Sequence, residues 1–223
     1  MSHDRLERLG PQAFRRQVLD ARHLLEDQAA APVVGFRAPS FSLGQATAWA
    51  VDVLCEAGFE YDASIYPVRH PWYGVRSAPA GPFRVRAAAG RPSLLEVPPL
   101  TWSLPRCRGR MAVGGGGHFR LLPLWFVSRG LAEAMAEDRP AVLYFHPWEF
   151  DPGMPGLPLR LDRRLRTYVG VRSAAGKLER LLKSPARFST IESELAACRR
   201  HADQRPVFNL ESASQWTGTR RAA

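Results

Sequence analysis

A histidine at the end of an apolar run is the residue of this chain with the clearest potential for chemistry. The segment Val142–Asp151 reads VLYFHPWEFD, so His146 follows a strand-like run and Pro147 turns the backbone directly after it. A buried strand that ends on His146 holds the imidazole rigidly at the edge of a sheet, which is typical of a general acid or a metal ligand. The alternative is a core histidine bonded to a backbone carbonyl, and the Pro-Trp-Glu that follows favours the first interpretation.

Two further polar residues, Arg37 and Asp62, lie at comparable points of the chain. Arg37 ends a short predicted strand and precedes Ala38 and Pro39, and Asp62 lies in the next predicted strand. Catalytic groups of sheets with parallel strands sit at the carboxyl ends of those strands. The sequence therefore predicts that both residues share one site with His146. A turn residue at a strand end is an equal alternative for Asp62, and a surface arginine is the alternative for Arg37.

The composition is that of a globular domain. Hydrophobic residues make up 45% of the 223 residues and charged residues 23%, and no apolar run is long enough to cross a bilayer. The polar start, without a signal peptide as written, predicts a cytoplasmic location. The net charge of +10 is compatible with an anionic partner. Because the arginines are spread along the chain and not grouped with aromatic residues, we expect no nucleic-acid partner.

Hydrophobic periodicity predicts helices that alternate with strands, and hence an α/β fold with a mainly parallel sheet or barrel. The predicted helices are 11–29, 46–57, 123–136, 161–169, 174–182 and 189–201, the last with a capping box of Ser189 and Glu192. The predicted strands are 33–37, 59–66, 94–97, 101–104, 111–113 and 141–146. Residues 67–93 are predicted as a long loop, 1–202 as one domain and 203–223 as a polar tail. The glycines at 114–117 indicate close backbone approach, with no helix starting there.

Four motifs, in this order along the chain, carry a resemblance to a known family. They are Gly35–Phe41 (GFRAPSF), Tyr61–Pro67 (YDASIYP), Val113–Pro123 (VGGGGHFRLLP) and Tyr144–Asp151 (YFHPWEFD). Together they resemble the polysaccharide deacetylases of carbohydrate esterase family four, and more closely the branch found with bacterial exopolysaccharide loci of the exosortase type. The resemblance covers residues 1–200.

The resemblance implies a distorted (β/α) barrel and metal-assisted hydrolysis of N-acetyl groups on a hexosamine-containing glycan. The partner would be an N-acetylated polysaccharide or oligosaccharide, and the cofactor a divalent metal, Zn²⁺ in particular, held by three protein ligands. His3 resembles the later histidine of the family's His-x-x-x-His metal motif. The family's Thr-Phe-Asp-Asp motif, which supplies the base and a metal-binding carboxylate, is absent from this sequence. We therefore expect a barrel that is incomplete at its N-terminus and a polypeptide with little activity.

The same resemblance assigns a role to each catalytic candidate. His146 would be the general acid, Arg37 would pair with the catalytic aspartate, and Asp62 would hold His146 in the right tautomer. The residues expected to contact the glycan are Pro39, Ser40, Phe41, Gly115, Gly116, Trp148 and Glu149.

Three of these residues are expected to contact the glycan, or to shape the site, for a physical reason. Pro39 would aim the Ser40 N–H at an oxyanion, and Trp148 would stack on a sugar ring. Glu149 has three open interpretations: it orients His146, binds a sugar hydroxyl, or pairs with an arginine at the surface.

Two other functions stay open for the whole chain. One is a non-catalytic glycan-binding protein, and the other, motivated by charge alone, is a nucleic-acid binder.

Overall fold

Five strands form one sheet, and two further strands form a hairpin. The computed structural model describes residues 3–104, 109–200 and 205–213. The strands are β1 (Gly35–Phe36), β2 (Tyr61–Asp62), β3 (Phe83–Arg86), β4 (Ser93–Glu96), β5 (Thr101–Leu104), β6 (Gly109–Ala112) and β7 (Val207–Asn209). The helices are α1 (Pro11–Ala29), α2 (Trp49–Glu56), α3 (Gly116–Leu121), α4 (Leu124–Ala136), α5 (Leu161–Tyr168), α6 (Val171–Leu182) and α7 (Ile191–Arg200).

Contacts between residues divide the chain into two units, and each is described by itself. The first unit comprises Met1–Pro98 with Leu195–Ala223, and the second comprises Pro99–Glu194. The sheet of the first unit has the order β1-β2-β4-β3-β7. Its first three strands are parallel, β3 is antiparallel to β4, and β7 is parallel to β3. The carboxyl ends of β1 and β2 therefore lie side by side.

The core of the first unit joins its two long helices to the sheet. Helix α1 begins at Pro11, whose fixed φ suits the first helical position, and buries Phe14 and Val18 on one face. Helix α2 buries Val51 and Leu54, which belong to the same apolar cluster. Each of these large side chains contributes about 1.5–3 kcal/mol when it is fully buried.

The second unit packs its helices around a smaller core. Strands β5 and β6 are antiparallel, and the buried side chains of Phe119, Val127 and Leu181 come from α3, α4 and α6. The segment 141–146 is extended and makes two isolated parallel bridges, Pro99 with Val142 and Gly115 with Tyr144. It thus runs between two neighbouring segments and makes too few ladder bonds for a regular strand.

The structure confirms the α/β class, including parallel strand pairs, and leaves the barrel a prediction. It also confirms helix α1 and strand β5 at their predicted bounds. The predicted strand 141–146 is reduced to the two bridges. The domain over 1–202 stays a prediction. Among the described residues, no helix combines the length and the apolar character needed to cross a membrane.

Four local predictions are wrong. The loop predicted over 67–93 contains β3, whose buried Phe83 and Val85 alternate with half-buried arginines. Helix α3 starts inside the glycine run, because Phe119 packs in the core and Lys177 Nζ donates to three carbonyl oxygens at the end of α3. Strand β7 lies in the predicted polar tail, since its backbone pairs with β3. Helix α7 is capped by Thr190 in place of Ser189: the Ser193 N–H donates to Thr190 Oγ1 at 3.2 Å.

Candidate functional site

Arg37 lies where β1 ends, beside the end of β2. Its Nε donates to the carbonyl oxygen of Ala63 at 3.0 Å, and its guanidinium carbon lies 6.0 Å from the centre of the Phe41 ring. A cavity of about 240 Å³ adjoins Arg37, and most of its lining is apolar, including Phe14 and Phe36. Such a lining offers few partners to sugar hydroxyls, so we do not assign the predicted glycan contacts to this cavity.

Asp62 is fully buried and fixes the backbone of the neighbouring strand end. Its Oδ1 accepts a hydrogen bond from Ser64 Oγ at 2.6 Å, and its Oδ2 accepts one from the Ser64 N–H at 3.1 Å. Ser64 Oγ in turn accepts a bond from the Ala38 N–H at 2.7 Å. Through the hydroxyl of Ser64, Asp62 therefore holds Ala38 in place, the residue that precedes the turn Pro39–Phe41.

That turn is conformationally strained. Ser40 and Phe41 both have left-handed backbone angles, with φ values of 54° and 52°. A non-glycine residue in this region costs about 1–3 kcal/mol, so the surroundings must impose the conformation. The buried Phe41 ring packs against Tyr66 and Tyr73, with centroid distances of 5.3 and 5.7 Å, while Ser40 is exposed. The proposed contact of the Ser40 N–H with an oxyanion stays a prediction.

Glu96, which the sequence analysis did not select, is a second buried carboxyl next to Asp62. The two residues pair in the register of β2 and β4, and Glu96 Oε1 accepts a bond from the Ile65 N–H at 2.9 Å. Burial raises the pKa of Asp62. Burial, and then the charge of Asp62, raise the pKa of Glu96 well above its ordinary value. Glu96 Oε2 is buried and has no hydrogen-bond partner among the described residues.

This pair links folding to pH. Because both pKa values are raised, the folded state binds the proton more tightly than the unfolded chain does. The resulting stabilisation is complete below the ordinary carboxyl pKa and is lost as the pH rises through the folded-state pKa. The signal that could have found Glu96 is a single charged residue within the apolar run of β4 and the residues after it, LLEVPPL.

In the second unit, His146 is exposed at the start of a 3₁₀ turn over Pro147–Phe150. Its ring lies parallel to that of Trp148, with an interplanar angle of 11° and a centroid distance of 6.2 Å, and nearly perpendicular to that of Tyr144. The backbone N–H of His146 donates a hydrogen bond to Glu149 Oε2 at 2.9 Å. The backbone is thus anchored while the imidazole faces solvent, in contrast to a core histidine.

Glu149 is buried and connects three parts of the second unit. Its carboxylate accepts a second hydrogen bond, from Arg120 Nε to Oε1 at 3.3 Å. The two side chains form an ion pair, and each of them is 3% exposed. The Arg120 guanidinium also lies over the Trp148 ring, 4.9 Å from its centre. Of the three interpretations of Glu149, the contacts favour the one in which it orients His146. The arginine that pairs with it is buried, not at the surface.

Gly115 and Gly116 are required by close contacts within the protein. A Cβ on Gly116 would overlap the Glu149 carboxylate, and a Cβ on Gly115 would lie 2.7 Å from the Tyr144 hydroxyl. Glycine at these two positions therefore has a packing reason that is independent of any ligand. Their predicted contact with a glycan stays a prediction, as does that of Trp148, which is 37% exposed.

His3 is exposed in the first unit. In the described parts of the chain, no group of three or more histidine, cysteine, aspartate or glutamate side chains is arranged to hold a metal ion. The described residues therefore do not fit the three-ligand zinc centre that the resemblance implies. Arg37 and Asp62 belong to the first unit and His146 to the second, so the predicted contact between Asp62 and His146 stays a prediction.

Comparisons with known proteins give one family and one structural similarity. A family model described as "Domain of unknown function (DUF3473)" matches residues 63–196, more than half of the chain. No curated protein matches. A crystal structure described as that of a "putative polysaccharide deacetylase from Mycobacterium smegmatis" has a TM-score of 0.46 and 20% sequence identity, and the match covers 84% of this chain. This chain spans 64% of the length of that protein.

Proposed function

We propose a function for this chain, which belongs to the family described as a domain of unknown function, DUF3473. The chain binds an N-acetylated, hexosamine-containing polysaccharide of the exopolysaccharide type and takes part in the hydrolysis of its acetamido groups. The observation that carries the proposal is the environment of His146. An exposed imidazole stands parallel to an accessible tryptophan, on a backbone that a buried carboxylate holds in place.

The chemistry of deacetylation accounts for this arrangement. Water adds to the amide carbonyl carbon, and the C–N bond of the tetrahedral intermediate then breaks to give acetate and a free amine. The departing nitrogen needs a proton, which the imidazolium of His146 can deliver. Trp148 beside it offers an aromatic face on which a sugar ring can stack. Glu149 and Arg120 do not touch the substrate in this proposal, because both are buried and bonded to the protein.

The turn Pro39–Phe41 is a feature of the first unit by itself. Asp62, Ser64 and Ala38 form a hydrogen-bonded chain that fixes the start of this turn, and Ser40 is exposed within it. We propose that the Ser40 N–H donates to an anionic oxygen of a ligand that this unit binds. Arg37 supplies a positive charge next to the same turn.

A divalent metal, zinc by resemblance, remains part of the proposal for the reaction, although the described residues do not provide its ligands. The sequence also lacks the Thr-Phe-Asp-Asp motif that would supply the base. We therefore expect the 223-residue polypeptide, tested on its own, to bind glycan and to release little acetate. The runner-up function, a glycan-binding protein without catalysis, is favoured by the same absence of a metal-ligand group among the described residues.

The test measures binding and hydrolysis separately. Isothermal titration calorimetry with an N-acetylhexosamine oligomer should show binding that Trp148→Ala weakens about fivefold to thirtyfold, since loss of stacking removes about 1–2 kcal/mol. Trp125→Ala is the matched control, because Trp125 is also exposed in the second unit and the proposal gives it no role. Both variants should keep the wild-type far-ultraviolet circular dichroism. No binding by the wild-type chain, or an equal loss in both variants, would contradict the proposal.

Acetate release separates the two functions. Acetate release that depends on a divalent metal and is lost in His146→Gln supports hydrolysis by this chain. Binding without acetate release, with and without added zinc, supports the glycan-binding protein. Strong acetate release by the polypeptide alone would contradict our expectation of low activity.

A further inference from the structure

Helix α5 is amphipathic, yet it buries none of its side chains among the described residues. Leu161 and Leu165 lie one turn apart on this helix and are 72% and 52% exposed. The next helix in the chain behaves as expected for a globular protein, because α6 buries Val171, Ala174 and Leu181. An amphipathic helix whose apolar side faces solvent points to a partner for that side.

Helix α5 is attached to the protein by its end. The buried Arg120 guanidinium donates hydrogen bonds of 2.7–3.2 Å to the carbonyl oxygens of Arg166, Thr167 and Val169, where α5 finishes. The hydroxyl of Tyr168 donates to the carbonyl oxygen of Pro155 and accepts from the N–H of Leu157, at 2.7 Å each. Because the helix is attached through its carbonyl groups, the leucine side chains stay largely exposed.

The exposed apolar side chains form one ridge. Leu161, Leu165 and Val169 are spaced four residues apart, so they follow one side of the helix and its end. Tyr168 brings Leu157 next to the same helix. All four side chains are between 43% and 72% exposed.

Unpaired arginines border this ridge. The side chains of Arg164 and Arg172 make no ion pair or hydrogen bond with the residues that the structure describes. The acidic residue of the helix, Asp162, is shared by Arg160 and Arg166. The surface therefore combines an apolar ridge with a net positive charge.

A cavity of about 270 Å³ lies beside the ridge. Arg164, Tyr168 and Arg172 contribute to its lining, together with Asp151, whose Oδ1 already accepts a hydrogen bond from the Gly153 N–H. Two unpaired guanidinium groups at one cavity match an anion such as a phosphodiester, which arginine binds through paired N–H groups.

We propose that the surface formed by Leu157, Leu161, Leu165, Val169, Arg164 and Arg172, here called the α5 face, docks on a membrane that contains anionic phospholipids. The leucines enter the boundary between headgroups and acyl chains, and a lipid phosphate enters the cavity between Arg164 and Arg172. Basic amphipathic helices bind bilayers in this way, through apolar burial together with attraction to anionic lipids.

The charge favours a membrane over a second copy of this chain. A symmetric dimer would bring two copies of this positively charged surface together, and like charges repel at an interface. A free anionic glycan would use the arginines and leave the leucine ridge exposed. A bilayer with anionic lipid satisfies both parts of the α5 face. The proposal does not depend on the proposed glycan chemistry.

Vesicle co-sedimentation tests the proposal with the full chain. Wild-type protein should bind vesicles of phosphatidylcholine mixed with phosphatidylglycerol, and the binding should fall as salt is added and be lost with phosphatidylcholine alone. Arg164→Gln with Arg172→Gln should weaken binding about thirtyfold, since each removes one charge near the anionic surface. The matched control is Arg8→Gln with Arg16→Gln, two exposed arginines of the first unit whose side chains bond to no described residue.

The leucine ridge is tested in the same assay. Leu161→Ser with Leu165→Ser should weaken binding at least tenfold, while Leu24→Ser with Leu25→Ser, two leucines of α1 that are each 49% exposed, should leave it unchanged. The proposal is overturned if the wild type binds neither vesicle, binds both equally, or loses binding equally with the control variants. It is also overturned if sedimentation velocity shows a dimer that the leucine variant dissociates, because a second copy would then cover the α5 face.

Discussion

Replacing Gly116 by alanine is expected to displace the Glu149 carboxylate and to destabilise the second unit. The new Cβ would overlap Glu149 Oε2, and neither group can move far, because Gly116 begins α3 and Glu149 is buried. Moving the carboxylate breaks its ion pair with Arg120 and its bond to the His146 N–H. Loss of one partner of a buried ion pair costs about 3–5 kcal/mol, so we expect the free energy of unfolding to fall by about 3 kcal/mol.

Gly117→Ala is the matched control for this substitution. It lies next to Gly116 in the same helix, and a Cβ at this position meets no atom within 4 Å. Alanine in place of a helical glycine stabilises by about 0.5–1 kcal/mol, so Gly117→Ala should be neutral or stabilising. Equilibrium urea unfolding followed by circular dichroism measures both variants under the same conditions.

A double-mutant cycle identifies the cause. If the clash with Glu149 is responsible, Gly116→Ala combined with Glu149→Ala should cost clearly less than the sum of the two single substitutions, because the second change removes the group that the first one displaces. Additive costs would refute the reasoning, and so would equal stabilities of Gly116→Ala and Gly117→Ala.

Three further substitutions test the first unit. Glu96→Gln mimics the protonated carboxyl, so the free energy of unfolding should depend less on pH above the ordinary carboxyl pKa. Each proton that only the folded state binds contributes a slope of up to about 1.4 kcal/mol per pH unit. Urea unfolding at several pH values measures this slope. Ser64→Ala should cost about 1–3 kcal/mol in the same assay, because it leaves the buried Asp62 and the Ala38 N–H without their shared partner. Ser40→Gly should raise the thermal midpoint by relieving the left-handed strain, whereas Ser42→Gly, at a φ of −81°, should lower it.

Regular amphipathic elements could be predicted from the sequence, and short or atypical ones could not. Helix α1 has Pro11 at its first position and a simple apolar stripe, so its bounds follow from local signals. Strand β3 lies among prolines and glycines, and its four residues gain their structure from pairing with β4 on one side and β7 on the other. Helix α3 has two glycines in its first turn and is held by the distant Lys177. Such tertiary contacts are invisible in a local pattern.

In the candidate site, too, the sequence pattern did not reveal the tertiary contacts. His146, Asp62 and Arg37 were selected because they are polar residues at predicted strand ends, but two buried charged residues behind them, Glu96 and Arg120, were not selected. Glu96 follows two leucines in a buried strand, and Arg120 lies in a short helix that the sequence did not predict. Neither partner is close in sequence to the residue that it holds, so only the fold reveals the pairing.

The contacts connect the four motifs in two pairs, and each pair lies within one unit. In the second unit, Gly116 makes room for Glu149 and Arg120 pairs with it, so the glycine motif and the His-Pro-Trp-Glu motif depend on each other. In the first unit, Ser64 bonds to Ala38, which links the motif of Asp62 to the motif of Arg37. Each pair leaves a polar residue exposed on a fixed backbone, Ser40 in one and His146 in the other. Substitutions in the buried partners should therefore shift the backbone that carries these two residues, and the Gly116 cycle described above measures how strongly two of the motifs of the second unit are coupled.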